Sequence, residues 1–405
     1  MGKKVKTFDI HFSNPKDVYR AGELVKGYVE VDVQNEIKIR GIRILLHGSA
    51  FVHWTERYTS GSGKNHRTVT KAFTAGETYF NHTQVLFGKA EGEEGEDPVL
   101  KPGVFKYPFK VQLPPNLPAS FESNLYGRIR YWAKAYIDRP WRFDKTTKKP
   151  FNVIGQVDTN TELNAFQPQS GQAQKTLCCM CCESGPIAAI LKLEKTAFVP
   201  GEDLRPNGEV INHSNRTMAS SKLEILQIIT FHAKTKSRRS TRTVAELGQG
   251  EIRPGETAIW TGRQLKLPPV PPSGLAGCRI IDVDYKLKLV VIPAGPAFDV
   301  EVPLALLVVP TPPVPSRPPT SSQVQFIHTN GNRRTGSMQQ SGQVKNWYKD
   351  VPPPTYEECV FGKVDVHDEN DNDFTMGVMT FAPHYIYYNF PDRVTTRSSR
   401  SSFQR

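Results

Sequence analysis

Short runs in which apolar and polar residues alternate recur throughout residues 1–310 of the chain. In Val29–Val33 every second residue is a valine, and the residues between them are acidic. In Tyr285–Leu289 a lysine separates each apolar residue from the next. Successive side chains of a β-strand point to opposite faces, so this alternation predicts strands with one buried face and one more exposed face.

Helical periodicity is nearly absent from the chain. The alternating runs are short, and Gly, Pro, Asn and Ser interrupt them. A parallel sheet built from βαβ units needs long amphipathic crossovers, which this sequence lacks. The pattern therefore predicts antiparallel β-sandwiches.

The chain resembles itself at several points that follow one another in the same order. Gly22-Glu23 and Gly201-Glu202 each follow a turn and precede an alternating run. Matching order in both halves predicts two copies of one sandwich. Further along each half a Pro-Gly pair leads to Leu-Pro-Pro, from Pro102-Gly103 to Leu113–Pro115 and from Pro254-Gly255 to Leu267–Pro269.

Changes in composition divide the chain into four parts. We place the first sandwich at residues 1–158, a polar inter-domain linker at 159–184, the second sandwich at 185–310 and a tail at 311–405. The chain contains 32 prolines and is 38% apolar, and the tail is Pro/Ser-rich without sustained periodicity. Such a segment buries too little apolar area to offset the entropy of ordering, so we expect the tail to be disordered.

Several separated motifs resemble those of the alpha-arrestins, the arrestin-domain-containing proteins. They are the run YGRIRYWAKAYIDRPWRFD at 126–144, the junction CCMCCESGPI at 178–187 and the turn PGE at 200–202. The resemblance implies an all-β fold of two tandem arrestin-like, immunoglobulin-type β-sandwiches, followed by the disordered C-terminal tail. It also implies an adaptor that brings HECT-type E3 ubiquitin ligases to the cytoplasmic parts of membrane receptors or transporters.

The sharpest motif of the tail is Pro353-Pro354-Thr355-Tyr356. Proline holds φ at about −65°, so the two prolines favour the polyproline II conformation before any partner binds. A WW domain offers an aromatic groove for such prolines, with a separate pocket for the tyrosine ring. We therefore expect Pro353, Pro354 and Tyr356 to bind a WW domain. The alternative is a proline-rich linker that carries a tyrosine by chance.

A degenerate second copy of the motif, Ala382-Pro383-His384-Tyr385, follows in the tail. Because the first proline is replaced, part of the groove contact is lost. We expect Pro383 and Tyr385 to form a weaker second WW site that adds avidity. The alternative is an aromatic-rich tail segment with no such role.

Cys178, Cys179, Cys181 and Cys182 lie within five residues of one another. Four ligands on a single short loop rarely reach the tetrahedral geometry of zinc without strain, and no second pair lies at a distance. Lipidation of an exposed cysteine is one interpretation. The other is a set of small apolar residues at a strand junction.

Five basic residues follow the strand-like run LEILQIITFH, namely Lys234, Lys236, Arg238, Arg239 and Arg242. We expect a loop here that contacts anionic lipid headgroups or an acidic receptor tail, and the alternative is a solvated hairpin loop. The formal net charge of +12 attracts anions without choosing among them. We do not expect a nucleic-acid partner, because the sequence lacks the basic-aromatic strand motif of RNA-binding sheets and any helix-turn-helix pattern.

Nothing in the sequence indicates catalysis or a cofactor. The ten histidines are scattered, and none is spaced from a carboxylate or nucleophile in a recognised pattern, so we expect no enzyme. The N-terminus lacks the apolar segment of a secretory signal, and no apolar stretch reaches the length of about 18 residues that a transmembrane helix needs. We therefore expect a cytoplasmic protein, which the resemblance places peripherally at the plasma membrane and endosomes. The alternative function is a vesicle-coat or sorting scaffold that recruits no ligase.

Overall fold

In a computed structural model, the protein is built from β-strands, and no helix occurs among the residues that the structure describes. The described residues are 4–60, 67–123, 125–141, 143–155, 165–176, 184–312, 352–367, 371 and 375–391. The predicted all-β fold is confirmed.

Two facing sheets form the N-terminal sandwich. One sheet has the order β1-β3-β8, and the other has the order β2-β11-β10-β5-β6, with β9 beside β10 and the pair β4-β7 at the side. The strands are β1 (Val5–Phe12), β2 (Val18–Arg20), β3 (Leu24–Val33), β4 (Ile37–Lys38), β5 (Gly41–Ser60), β6 (Arg67–Gly88), β7 (Val99–Leu100), β8 (Gly103–Gln112), β9 (Phe121–Glu122), β10 (Gly127–Asp138) and β11 (Lys145–Ile154).

The C-terminal sandwich repeats this arrangement. Its sheets have the orders β12-β13-β16-β19 and β14-β22-β21-β17-β18, and β15 pairs with β20. The strands are β12 (Gln169–Thr176), β13 (Pro186–Leu193), β14 (Ala197–Phe198), β15 (Asp203–Leu204), β16 (Asn207–Asn212), β17 (Met218–Ala233), β18 (Lys236–Gln249), β19 (Thr257–Ile259), β20 (Leu265–Lys266), β21 (Ile281–Pro293) and β22 (Val300–Val308).

Strand β10 shows how the alternating pattern positions the core. It lies between β5 and β11 in antiparallel register. Ile129, Tyr131 and Ala133 point inward and are fully buried, as the alternation predicts. The Tyr131 hydroxyl donates a hydrogen bond of 2.8 Å to the Pro118 carbonyl, so its one polar group is paired inside the core.

The internal repeat corresponds to a shared hydrogen-bond pattern. The Leu113 amide donates to the Glu23 carbonyl at 3.0 Å, and the Leu267 amide donates to the Glu202 carbonyl at 2.9 Å. The glycine before each glutamate has a positive φ, which is +80° at Gly22 and +93° at Gly201. The two copies of one sandwich that the sequence predicted are present.

Strand β12 corrects the predicted inter-domain linker. It falls inside 159–184, yet it pairs with β13 along its whole length, from Gln169 opposite Leu193 to Thr176 opposite Pro186. Its sequence, QSGQAQKT, is almost entirely polar because the strand lies at the edge of its sheet with no fully buried residue. An edge strand needs backbone partners more than an apolar face, so hydrophobic alternation could not reveal it.

One continuous apolar core extends through both sandwiches and across the seam between them. Phe231 of β17 is fully buried and packs edge-on against Tyr126, with ring centroids 5.6 Å apart. Beside this contact, Lys236 Nζ of the C-terminal sandwich lies 2.5 Å from Glu56 Oε2 of the N-terminal sandwich. The seam therefore combines a buried aromatic contact with an ion pair.

Within the predicted tail, residues 352–367, 371 and 375–391 are folded against the sandwiches. They form short strands, of which β23 pairs with β27, β24 pairs with β26, and β25 adds to the edge of β11. The apolar residues Ile386 and Tyr388 are buried against the sandwiches. They supply buried apolar surface area that the average composition of the tail does not indicate. These strands are β23 (Thr355–Glu358), β24 (Val364–Asp365), β25 (Thr375–Gly377), β26 (Thr380–Phe381) and β27 (His384–Tyr387).

Candidate partner-binding tail

The Pro-Pro-x-Tyr motif lies at the start of the first tail strand. Pro353 and Pro354 are exposed, whereas Tyr356 is half-buried within β23. The backbone of Tyr356 is opposite Ile386 in the antiparallel pairing of β23 with β27. The motif therefore presents its prolines to solvent and its tyrosine to the body of the protein.

The Tyr356 ring packs at an apolar cluster that we call the seam cluster. This cluster joins the N-terminal sandwich, the C-terminal sandwich and the tail, and its buried members are Val18, Ile154, Ala165, Ala197, Val199, Val309, Ile386 and Tyr388. Lys16 Nζ lies 5.3 Å from the centroid of the Tyr356 ring, a distance at which the cation attracts the ring face. The ring thus has an apolar neighbour and a cationic neighbour within the folded chain.

The predicted second WW site at Pro383 and Tyr385 is buried. Tyr385 is 5% exposed, and its hydroxyl donates a hydrogen bond of 3.1 Å to the Ser120 carbonyl. Burial raises the pKa of this phenol well above its ordinary value, so the group stays a neutral donor. Pro383 accepts a backbone hydrogen bond of 2.8 Å from the Cys359 amide. In this arrangement both residues hold the tail in place. A WW domain could not reach the Tyr385 ring, because that ring is already enclosed.

A buried ion cluster fixes the tail to the N-terminal sandwich, and sequence reasoning missed it. Lys134 Nζ and Lys148 Nζ each lie 2.8 Å from a carboxylate oxygen of Asp371. The Lys148 side chain also donates to the Val366 carbonyl at 3.2 Å. The lysines occupy adjacent strands, β10 and β11, whose pairing sets Lys134 opposite Lys148. The acidic run at 368–373 was the one signal in the sequence, and it does not by itself indicate a partner.

Strand β25 extends the N-terminal sandwich next to this cluster. Thr375, Met376 and Gly377 run parallel to the β11 residues from Thr146 onwards. The Val378 amide then donates a hydrogen bond of 2.9 Å to the Lys148 carbonyl. The tail therefore covers backbone groups that would otherwise form an open sheet edge.

The C-terminal sandwich holds the tail through Tyr388. The Tyr388 amide donates to the Pro200 carbonyl at 3.0 Å, and its hydroxyl donates to the Pro310 carbonyl at 3.3 Å. Gly201 lies directly under the Tyr388 carbonyl, at a place where a Cβ would overlap with that oxygen. Glycine is therefore needed here for two reasons. It adopts the positive φ without strain, and its lack of a Cβ lets the tail backbone approach closely.

The predicted basic loop is instead a tight hairpin with most of its basic residues on strand β18. Lys234 and Arg239 are exposed. The other three side chains are engaged, since Lys236 pairs with Glu56, Arg238 lies 4.2 Å from the centroid of the Tyr126 ring, and Arg242 lies over the Phe361 ring of the tail. The strand pairing of β17 with β18 continues to Ala233 opposite Lys236, which leaves no room for a long loop.

One arrangement of a histidine was not predicted from the sequence. His232 Nδ1 lies 2.8 Å from Ser237 Oγ, and His232 Nε2 lies 2.7 Å from Asp282 Oδ2. The three residues belong to β17, β18 and β21, which the sheet brings side by side. The His232 side chain is half-buried, and the Asp282 side chain is 49% exposed. Serine, histidine and aspartate in contact are the components of a hydrolytic triad, but this set lies on an open surface, whereas oxyanion stabilisation requires an enclosed site with preorganised donors.

The cysteine run Cys178, Cys179, Cys181 and Cys182 lies outside the described residues. Within the part of the chain that the structure describes, no group of three or more His, Cys, Asp or Glu side chains is placed to hold a metal ion. In that same part, no helix has the length and apolar character needed to cross a bilayer.

Two family models match the chain at its two sandwiches. The N-terminal domain of arrestin (or S-antigen) matches residues 8–160, and the C-terminal domain of the same family matches residues 183–313. Arrestin domain-containing protein 17 of Caenorhabditis elegans is 27% identical over 425 residues, which cover 94% of this chain and 98% of that protein. The chain belongs to the alpha-arrestins.

This alpha-arrestin is also similar to thioredoxin-interacting protein. The mouse protein is 29% identical over 311 residues, which cover 76% of this chain and 74% of that protein. The rat protein is 30% identical over 309 residues, which cover 76% and 75% of the two chains. The resemblance that the sequence motifs indicated is thereby confirmed, and the Pro-Pro-x-Tyr segment lies beyond the two matched domains.

Proposed function

We propose that this alpha-arrestin is a non-catalytic adaptor that recruits a WW-domain-containing HECT-type E3 ubiquitin ligase to membrane receptors or transporters. Recruitment would promote the ubiquitination, endocytosis and sorting of that cargo. The observation that carries the proposal is Pro353-Pro354-Thr355-Tyr356 on the same chain as two arrestin domains.

The placement of the prolines supports ligase binding. Pro353 and Pro354 are exposed, and no described peptide bond is cis, so the pair is compatible with the extended polyproline II conformation. A preformed ligand loses little conformational entropy when it enters an aromatic groove. A ligase held by this segment would act at high effective concentration on cargo bound by the same chain.

Contacts with the membrane and cargo are assigned to the sandwiches. The exposed side chains of Lys234 and Arg239 favour an anionic neighbour, such as a lipid headgroup or an acidic cytoplasmic segment of a receptor. In this proposal the protein resides in the cytoplasm and binds peripherally at the plasma membrane and endosomes.

A binding experiment with isolated WW domains tests the adaptor function. The full chain is mixed with immobilised WW domains of HECT-type ligases, and retained protein is compared between wild type and Tyr356→Ala. We expect Tyr356→Ala to lose binding, because the tyrosine pocket of the WW domain would be empty.

The matched control is Thr355→Ala, which changes the variable position of the motif and keeps both prolines and the tyrosine. We expect this variant to retain binding. If Tyr356→Ala binds as well as the wild type, the ligase-recruitment function is wrong, and a sorting scaffold without ligase becomes the better interpretation.

A further inference from the structure

We infer that the docked tail withholds Tyr356 from WW domains, so that ligase binding and tail docking exclude one another. This inference rests on the proposed function, because it concerns the regulation of the same motif. It goes beyond that function by making the sandwiches part of the control of ligase recruitment.

The first step is the conformation of the motif. A WW domain binds an extended segment that lies in its groove with the tyrosine ring free to enter a pocket. In the docked tail, Thr355–Glu358 is instead paired as a strand with β27, in a register from Thr355 opposite Tyr387 to Glu358 opposite His384. The peptide backbone and the ring would both have to leave this arrangement before a WW domain could enclose them.

The second step is the occupancy of the tyrosine ring. Tyr356 packs against the seam cluster on one side and has Lys16 Nζ 5.3 Å from its centroid. Pro353 and Pro354 remain exposed. A WW domain can therefore meet the prolines of the docked chain but not the tyrosine, and half a motif gives weak binding.

The third step is what holds β23 in place. Its partner β27 lies between two attachments, Asp371 on the N-terminal sandwich and Tyr388 on the C-terminal sandwich. Neither residue belongs to a Pro-Pro-x-Tyr motif. Tyr385 and Ile386 also hold β27 against the sandwiches. Loss of either attachment therefore weakens the docking of β27, and with it the pairing that orders Tyr356, without changing any atom that a WW domain would contact.

Coupling of this kind is reciprocal. If docking lowers the affinity for a WW domain by some factor, a bound WW domain lowers the stability of docking by the same factor. Ligase binding then uncovers the edge of β11 and the lysines of the ion cluster, Lys134 and Lys148, which lie far from the motif in the sequence. Recruitment of ligase and exposure of this face occur together.

The experiment measures the affinity of the full chain for one isolated WW domain by calorimetry. The test variants are Asp371→Asn and Tyr388→Ala, which weaken the two attachments separately. Val378→Ala is the matched control, because its side chain is 44% exposed in the same tail. Typical couplings predict that each test variant binds about 5- to 150-fold more tightly than the wild type, and that the control does not differ.

Hydrogen–deuterium exchange supplies a second measurement on the wild-type chain. Saturation with the WW domain should accelerate amide exchange in β27 and in β25, although β25 pairs with β11 and not with the strand that carries Tyr356. Unchanged exchange in both strands while the WW domain is bound would overturn the inference.

The outcomes separate the two proposals. If Asp371→Asn and Tyr388→Ala bind like the wild type while Tyr356→Ala loses binding, the adaptor function stands and the control by docking is wrong. If no variant binds any WW domain of the HECT-type ligases, including the variant that combines Asp371→Asn with Tyr388→Ala, the adaptor function itself is wrong and the inference falls with it.

Discussion

Asp371 of the tail and Lys148 of the N-terminal sandwich form a buried ion pair, with an oxygen–nitrogen distance of 2.8 Å and side chains that are each 1% exposed. Lys134 binds the other carboxylate oxygen at the same distance. Two lysines side by side in a sheet would repel one another without an anion between them. Asp371 therefore reduces the repulsion between the two lysines, and this contact helps to hold the tail against the N-terminal sandwich.

Asp371→Asn should weaken tail docking. The amide keeps the shape of the side chain but removes the negative charge between the two lysines. Breaking a buried ion pair costs about 3–5 kcal/mol when the unpaired charge stays buried. Here the tail can leave and expose the lysines to water, so the cost is limited to the free energy of docking. We expect the amide of Val378 to exchange faster with deuterium.

Asp365→Asn provides the control for this measurement. Asp365 lies in the same tail, and its side chain is 71% exposed beside His367. An exposed pair contributes little to stability, so exchange at Val378 should not change. Equal exchange in all three proteins would show that the Asp371 charge does not hold the tail.

Gly201→Ala and Gly255→Ala should differ, although both glycines have a positive φ. At Gly255 φ is +80° and nothing lies within 4 Å of the added Cβ, so this change should cost about 1–2 kcal/mol in unfolding free energy through backbone strain alone. At Gly201 the Cβ would in addition overlap with the Tyr388 carbonyl.

Gly201→Ala should therefore also detach the tail at Tyr388. Chemical denaturation measures the strain in both variants, and limited proteolysis of the tail measures the detachment. A tail that is equally protected in both variants would contradict the close approach of Tyr388 to Gly201.

Glu56→Gln should reduce stability at neutral pH but not at low pH. Hydrogen bonds from Lys236 and Tyr58 lower the pKa of Glu56 from its ordinary value of 4.5 to about 2. A carboxylate with a lowered folded-state pKa stabilises the fold above its unfolded-state pKa, and this contribution disappears as the pH falls through the folded-state value.

The difference in melting temperature between the wild type and Glu56→Gln should therefore be full above pH about 4.5 and vanish towards pH about 2. Thermal denaturation over that range measures it. A difference that stays constant across the range would mean that the charge of Glu56 does not contribute to the contact between the sandwiches.

Phe231→Ala should be strongly destabilising, because this ring is fully buried at the seam between the sandwiches. Truncation of a buried phenylalanine costs about 3–5 kcal/mol. Phe298→Ala is the matched control, since that ring is 85% exposed and a surface change stays within about 0.5 kcal/mol. Denaturant unfolding compares the two, and similar losses would argue against the seam as an extension of the core.

The alternation of residues along the chain was sufficient to predict both sandwiches. The buried face of a strand such as β10 can be predicted from the residues of that strand alone, because side chains alternate between the two faces along the strand. The sequence also showed the repeat that contains Gly22 and Gly201. Both copies need a glycine there, because the backbone has a positive φ at that position and the same hydrogen bond follows it. Strand β12 was missed because an edge strand of polar residues has no apolar face to recognise.

By itself the sequence determined the fold class, the duplication and the presence of a Pro-Pro-x-Tyr segment, since each depends on neighbours within a few residues. Only the tertiary structure decided where that segment lies. Docking of the tail depends on Asp371 meeting Lys134 and Lys148 and on Tyr388 fitting over Gly201, and these partners are far apart along the chain. The amino-acid composition of a segment describes its average tendency to stay disordered, which follows from the conformational entropy lost on ordering. It does not show which few residues make specific contacts with distant parts of the chain.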